Sequence, residues 1–250
     1  MKNLVIARGE IGQSLTAVLE AGGLDVDNIA RDVETENPVY DVLHICFPYS
    51  DEFKGWVRSY QRRFGKKDAL VIVHSTTPMG VCDELGVVHS PVTGVHPNLQ
   101  GGIRTFPKLF GGARAKEAAA IFEGIGIKTR VVERARETEA RKIWDTTQYG
   151  WSIVLEKAIH AFCDKHGLDF DFVYTLANED YNAGYEELGM GHFRRPALKH
   201  MDGPIGGHCV IPNCRLLGGE VADFILKVND ELCNLAQPVE KKDSSKMPSS

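Results

Sequence analysis

Between Asn3 and Val132, short apolar runs alternate with stretches of helical character, and this alternation constrains the fold more than any other feature of the chain. Residues 3–7, 26–30, 41–47, 69–74, 87–89, 109–111 and 128–132 read as strands. Residues 14–19, 52–64 and 115–124 read as helices between them. Two strands that run the same way need a long connection, and a helix lying on the sheet provides it with a right-handed crossover. The expected class is therefore α/β, with a Rossmann-type parallel sheet.

After Glu133 the pattern changes. Residues 136–166 contain no proline and one glycine, Gly150, and Ile143, Ile153, Val154, Ala158 and Phe162 recur at helical spacing. One long helix ending at Gly167 is the simplest reading. Helices are also expected over 170–177 and 220–235, with loop and short helices over 178–214. The predicted organisation is a sheet domain over 1–133, an all-helical domain with a long central helix over 134–236, and a polar, disordered tail over 237–250.

Composition narrows the partners. The chain carries a net charge of −5, which gives no electrostatic footprint for nucleic acid or an anionic membrane. It has no apolar run of about 18 residues and no signal-peptide pattern. A cytoplasmic protein is expected, with its six scattered cysteines reduced.

The loop after the first strand reads V-I-A-R-G-E-I-G. A dinucleotide fingerprint places glycines for a tight turn, for close approach of a pyrophosphate, and for close packing of the helix on the strand. Here Gly9 and Gly12 fill the second and third roles, and Ala7 stands at the turn. The cofactor loop is thus Ala7, Arg8, Gly9, Glu10, Ile11 and Gly12. Asp32 lies twenty residues after Gly12, near the expected end of the second strand. An acid there accepts hydrogen bonds from the ribose hydroxyls and repels a 2′-phosphate, which favours NAD over NADP; Arg31 points mildly the other way.

Near the far end, G-P-I-G-G-H-C-V-I-P-N-C raises three readings for Cys209: nucleophile, metal ligand or buried thiol. His200, His208, Cys209 and Cys214 are potential zinc ligands, but no C-x₂-C or H-x₃-H spacing joins them, so no metal is expected. Arg194 and Arg195, just ahead of this block, suit an anionic substrate, because the guanidinium fork matches carboxylate or phosphate.

Several of these stretches, in the same order, resemble the UDP-glucose/GDP-mannose dehydrogenase family. L-V-I-V-H-S-T-T-P-M-G resembles its strand and S-T-x-P-x-G segment, and E-A-R-K-I-W-D-T resembles its E-x-x-K-x-x-x-N. G-P-I-G-G-H-C-V-I-P-N resembles its G-x-G-G-x-C-x-x-x-D block, and D-V-L-H-I-C-F-P matches its strand before the first gap between domains. The resemblance implies a Rossmann domain, a helical domain that forms a homodimer, and NAD-dependent oxidation of an alcohol through a cysteine thiohemiacetal. It places Cys209 at the nucleophile, Lys142 at the helix lysine, and Thr76 beside the reacting centre. Thr146 falls where the family has an asparagine, one turn after Lys142. Pro48 and Ser75 join the cofactor set; Gly207 and His208 join Arg194 and Arg195 at the substrate.

The departures shape the expectation. Asn213 stands where the family has an acid four residues after the cysteine, and Val92 and Thr93 replace a glutamate. No UDP-binding domain follows the last helix, so a smaller, anionic or sugar-like alcohol or aldehyde is expected in place of a UDP-sugar, held between the domains. With those acids gone, a catalytically inactive NAD- or metabolite-binding module is the alternative.

Overall fold

The computed structural model describes residues 1–31, 39–207 and 209–236. It divides into two compact units, Met1–Trp144 and Asp145–Ser250.

The first unit is a seven-stranded sheet. Its strands are β1 (Lys2–Ile6), β2 (Asp25–Ile29), β3 (Tyr40–Ile45), β4 (Gly65–Val73), β5 (Val88–His89), β6 (Lys108–Gly111) and β7 (Thr129–Val132). The order across the sheet is β2-β1-β3-β4-β5-β6-β7. The helices α1 (Glu10–Ala21), α2 (Phe53–Phe64), α3 (Val81–Leu85), α4 (Leu99–Thr105) and α5 (Ala115–Glu123) connect the strands. Pairing is parallel except between β5 and β6. The sheet is thus mostly parallel, as the alternation of strands and helices implies. β5 is two residues long, and the segment carrying α4 brings the chain to β6 from the opposite end.

Alternation along the strands feeds both faces of the sheet. Val5, Val42, Leu70 and Ile72 pack with Leu15, Val18, Leu19 and Phe122. Leu4, Ile6, Leu43, Ile45, Val71 and Val73 pack with Phe53, Val57, Tyr60 and Phe64. Each fully buried Leu, Ile or Phe contributes about 2 kcal/mol, so this two-sided core is the main support of the first unit.

The long helix α6 (Ala135–His166) starts in the first unit and continues into the second. The second unit adds a π-helical stretch, Asp171–Leu176, that runs into α7 (Ala177–Glu187). It also contains α8 (Val210–Leu217) and α9 (Gly219–Ala236). The eleven-residue α7 falls where loop and short helices are expected. Its Asn, Asp, Tyr and Gly are weak helix formers, and Asn178 is its one buried residue, the side-chain amide donating to the Tyr174 carbonyl at 2.7 Å. A buried apolar cluster of this unit joins Val154, Ile205, Val210, Cys214, Ala222 and Ile225.

Candidate active site

β1 has β2 on one side and β3 on the other, so chain direction across the sheet reverses between β1 and β3. In open α/β sheets the crevice beyond the carboxyl ends of such strands is where ligands bind. The β1–α1 loop opens into it. Ala7 has φ 109°, a backbone region that favours glycine, so the alanine keeps the turn that the fingerprint's first glycine normally makes. Its N–H donates to the Ile29 carbonyl at 3.0 Å, which holds the turn against β2. Gly12 is buried, and a Cβ there would meet the Ala7 carbonyl oxygen at 1.9 Å. Gly9, the N-cap of α1, would meet nothing within 4 Å. The loop therefore packs tightly where helix meets strand and stays open where a pyrophosphate would approach. Arg8 is exposed and caps the Asn28 carbonyl from Nη2 at 3.0 Å. Glu10 lies in the first turn of α1, paired with His96, and Ile11 is half-buried. Asp32 lies outside the described residues.

Pro48 is exposed just past β3. Ser75 is buried, and its hydroxyl donates to the Phe47 carbonyl at 2.5 Å, tying the ends of β3 and β4 together. Thr76 is half-buried, and Thr77 beside it is buried. The Thr77 hydroxyl donates to Glu139 Oε1 at 2.9 Å. Glu139 is fully buried and accepts two more bonds, from the N–H groups of Gly80 at 2.5 Å and Cys82 at 2.8 Å. One carboxylate on α6 thus pins the whole S-T-T-P-M-G turn. Lys142, three residues on, is half-buried on the same helix.

Lys142 borders a buried basic group. Burial pushes Lys108 down to about 7, and the charge of Lys142 adds to that. The Lys108 ammonium donates to the carbonyls of Ser90 at 3.1 Å and Pro91 at 3.5 Å. His89 is pushed down to about 3 by burial, with Lys108 and Lys142 contributing; its ring meets Thr138 Oγ1 at 2.8 Å and the Ser75 carbonyl at 3.2 Å. His44 and His74 are buried together, Nδ1 to Nε2 at 3.0 Å, and both are held neutral chiefly by burial.

The second unit carries the rest of the predicted catalytic set. Gly150 on α6 has no Cβ where Val210 Cγ1 approaches; an added Cβ would lie 2.5 Å from it. This close approach brings the start of α8 against α6. Cys209 is the N-cap of α8 and is half-buried. Gly207, with φ 80°, shapes the turn before it, and His208 lies outside the described residues. Asn213 is buried one turn into α8, and its N–H donates to the Cys209 carbonyl at 3.1 Å. Thr146 is half-buried on α6; its neighbour Thr147 contacts Cys214 Sγ at 4.0 Å. Arg194 pairs with Glu186 at 3.4 Å. Arg195 lies over the Tyr181 ring at 3.4 Å, and its backbone exchanges two bonds with the Asn182 amide. His200 stacks on His160 at 3.6 Å and meets buried Glu156 at 2.6 Å.

Lys142 belongs to the first unit and Cys209, Asn213 and Thr146 to the second. The sequence reading missed Glu139 as an anchor and Lys108 as a buried amine. The signal for Glu139 was present, since it opens the E-x-x-K stretch; Lys108 opens the short strand β6, and nothing in its neighbours along the chain signals its burial.

No family profile and no curated protein matches the sequence. Solved structures do. UDP-D-ManNAc dehydrogenase from Pyrococcus horikoshii superposes with a TM-score of 0.76 at 17% identity, over 93% of this chain and 69% of that one. This chain has the fold of the UDP-sugar dehydrogenases. The same fold relates it to 3-hydroxyisobutyrate dehydrogenase from Salmonella typhimurium, at TM-score 0.63 and 13% identity over 94% of this chain and 95% of that one. Psf3, in complex with NADP+ and 2-OPP, gives a TM-score of 0.58 at 15% identity over 94% and 95%. The UDP-sugar dehydrogenase fold therefore covers nearly all of this chain, while the chain spans about two thirds of the Pyrococcus enzyme.

Proposed function

We propose that this protein is a nicotinamide-dinucleotide-dependent oxidoreductase acting on an alcohol or aldehyde of a small, anionic or sugar-like molecule. One observation carries the reading: the β1–α1 loop is built for a pyrophosphate, with Ala7 at positive φ, Gly12 closed against it and Gly9 open, at the point where strand order reverses. The first N–H groups of α1 supply donors for the phosphates. A bound nicotinamide supplies the hydride chemistry.

The chain's own residues do the rest. Lys142, held by the Glu139 anchor, donates or accepts the proton at the substrate oxygen and stabilises negative charge there. Thr76 hydrogen-bonds the same oxygen. Cys209 presents its thiol at the start of α8 to an aldehyde, with Asn213 and Thr146 positioning substrate or water. Arg194, Arg195, Gly207 and His208 bind the anionic end. Asp32 is the argument for NAD. A second copy of the chain covers the apolar side chains that α6 leaves exposed, Trp144 at 49%, Leu155 at 54% and Phe162 at 54%. Sedimentation at micromolar concentration distinguishes dimer from monomer.

Calorimetric titration with NAD and NADP tests the base of this reading. Micromolar binding of either, followed by turnover of an alcohol or aldehyde panel that Lys142→Ala abolishes, supports it; binding of neither overturns it. A second reading, a catalytically silent dinucleotide or metabolite sensor, draws on Asn213 in place of an acid, and any Lys142-dependent turnover excludes it.

A further inference from the structure

We propose that His96 is a positioning residue for the dinucleotide site: it holds the Glu10 carboxylate to the loop after β5 and so keeps the first N–H groups of α1 free for a pyrophosphate. The inference rests on the dinucleotide reading above and adds to it a residue from outside the β1–α1 loop.

Glu10 stands one residue past Gly9, in the first turn of α1. That end of a helix carries partial positive charge and N–H groups without intrahelical partners, and it attracts a carboxylate as it attracts a phosphate. A glutamate here is therefore an internal competitor for the ligand's place. The N-cap, Gly9, has no side chain to close the turn. The Glu10 carboxylate is bonded instead to the imidazole of His96, whose Nδ1 donates to Oε2.

His96 is exposed, but the chain that carries it is fixed on both sides. Ahead of it, Gly102 of α4 packs closely on the strand exit: a Cβ there would lie 2.3 Å from the Thr93 carbonyl oxygen and 2.6 Å from the Gly94 Cα. Behind it, the Asn98 N–H donates to the Val95 carbonyl at 2.7 Å, and the Asn98 side-chain oxygen caps α4 by accepting from the Gly101 N–H at 3.2 Å. Leu99 and Ile103 of α4 are buried in the same core group as Leu15, Val18 and Leu19 of α1. The two ends of the bond, 86 residues apart in the chain, are thus carried on helices that share one core. An exposed bond of this kind contributes little to stability, so its effect falls on the site beside it. Freed from His96, the carboxylate would turn to the N-terminus of α1 and oppose the phosphates, as like charges within a few ångströms do.

The test is calorimetric binding of NAD and NADP to the full chain as wild type, His96→Ala, Glu10→Gln and the double variant, at low and high potassium chloride. His96→Ala is expected to weaken both dinucleotides by about fivefold or more, the scale of one repulsive charge beside a diphosphate. Glu10→Gln should bind at least as tightly as the wild type, and adding His96→Ala to it should change affinity by less than about twofold. The gap between His96→Ala and the wild type should shrink with added salt, which a merely structural role for His96 would not produce. A His96→Ala affinity within about twofold of the wild type overturns the proposal and leaves the oxidoreductase reading standing. An equal loss from His96→Ala in the Glu10→Gln background does the same. Failure of the wild type to bind either dinucleotide overturns both readings.

Discussion

The Cβ that Gly12 lacks would lie 1.9 Å from the carbonyl oxygen of Ala7, whereas the one that Gly9 lacks would touch nothing within 4 Å. Two glycines three residues apart thus have separable roles. Gly12→Ala should destabilise the protein by about 3 kcal/mol, because backbone cannot retreat from the clash. Gly9→Ala should leave stability within about 0.5 kcal/mol and weaken dinucleotide binding by about tenfold or more. Chemical denaturation and calorimetric titration of the two variants separate these effects.

Ala7 is the only described non-glycine residue with positive φ. An L-residue there costs about 1–2 kcal/mol. Glycine relieves that cost but adds about 0.5–1 kcal/mol of unfolded-state entropy. Ala7→Gly should therefore stabilise by about 0.5–1 kcal/mol. A lower denaturation midpoint for the variant would show the turn to be unstrained.

Glu139 satisfies three donors from inside the first unit. Glu139→Ala leaves the Thr77 hydroxyl and the N–H groups of Gly80 and Cys82 buried without an acceptor, and should cost about 3–5 kcal/mol. Glu139→Gln keeps one acceptor and should cost roughly half. Any turnover should fall with Glu139→Gln more than substrate affinity does, because Lys142 is positioned from the same turns of α6.

The pH dependence of stability follows from the buried bases. His44 and His89 titrate near 3 in the folded chain against an ordinary value of 6.5, and His74 is also well below its ordinary value. Between 6.5 and 3 the unfolded chain binds protons that the native one refuses, so stability falls as pH drops through this window. Lys108 acts with the same sign higher up: it titrates near 7 when folded against 10.5 ordinarily. Stability should rise from pH 7 toward 9. Beyond that, burial of Cys46, which lifts its thiol to about 12, opposes the rise as the unfolded thiol ionises. Lys108→Met should flatten the profile between 7 and 9 and leave the acid limb unchanged, as read from urea midpoints at each pH.

Gly150 plays the part of Gly12 in the second unit. Gly150→Ala drives a methyl group into Val210 and should destabilise by about 1–3 kcal/mol, and Val210→Ala in the same chain should recover part of that loss. Strict additivity of the two would show that α8 does not rest on α6 at this point.

Much of this architecture was readable from residue order alone. Alternating apolar runs announced the sheet and its helices, because side chains on a strand buried on both faces must nearly all be apolar. The proline-free stretch after Glu133 announced α6, and V-I-A-R-G-E-I-G announced the loop at the strand reversal. These are local signals, each written within about thirty residues. Tertiary packing decided the rest. The antiparallel β5–β6 pair depends on how the α4 segment returns to the sheet. The bond between Glu10 and His96 joins positions 86 residues apart, and the three bonds to Glu139 join positions 57 to 62 residues apart. The burial that lowers Lys108 likewise exists only once β6 is enclosed. Such contacts have no period or spacing in the chain, since they form between residues that only the folded backbone brings within a few ångströms.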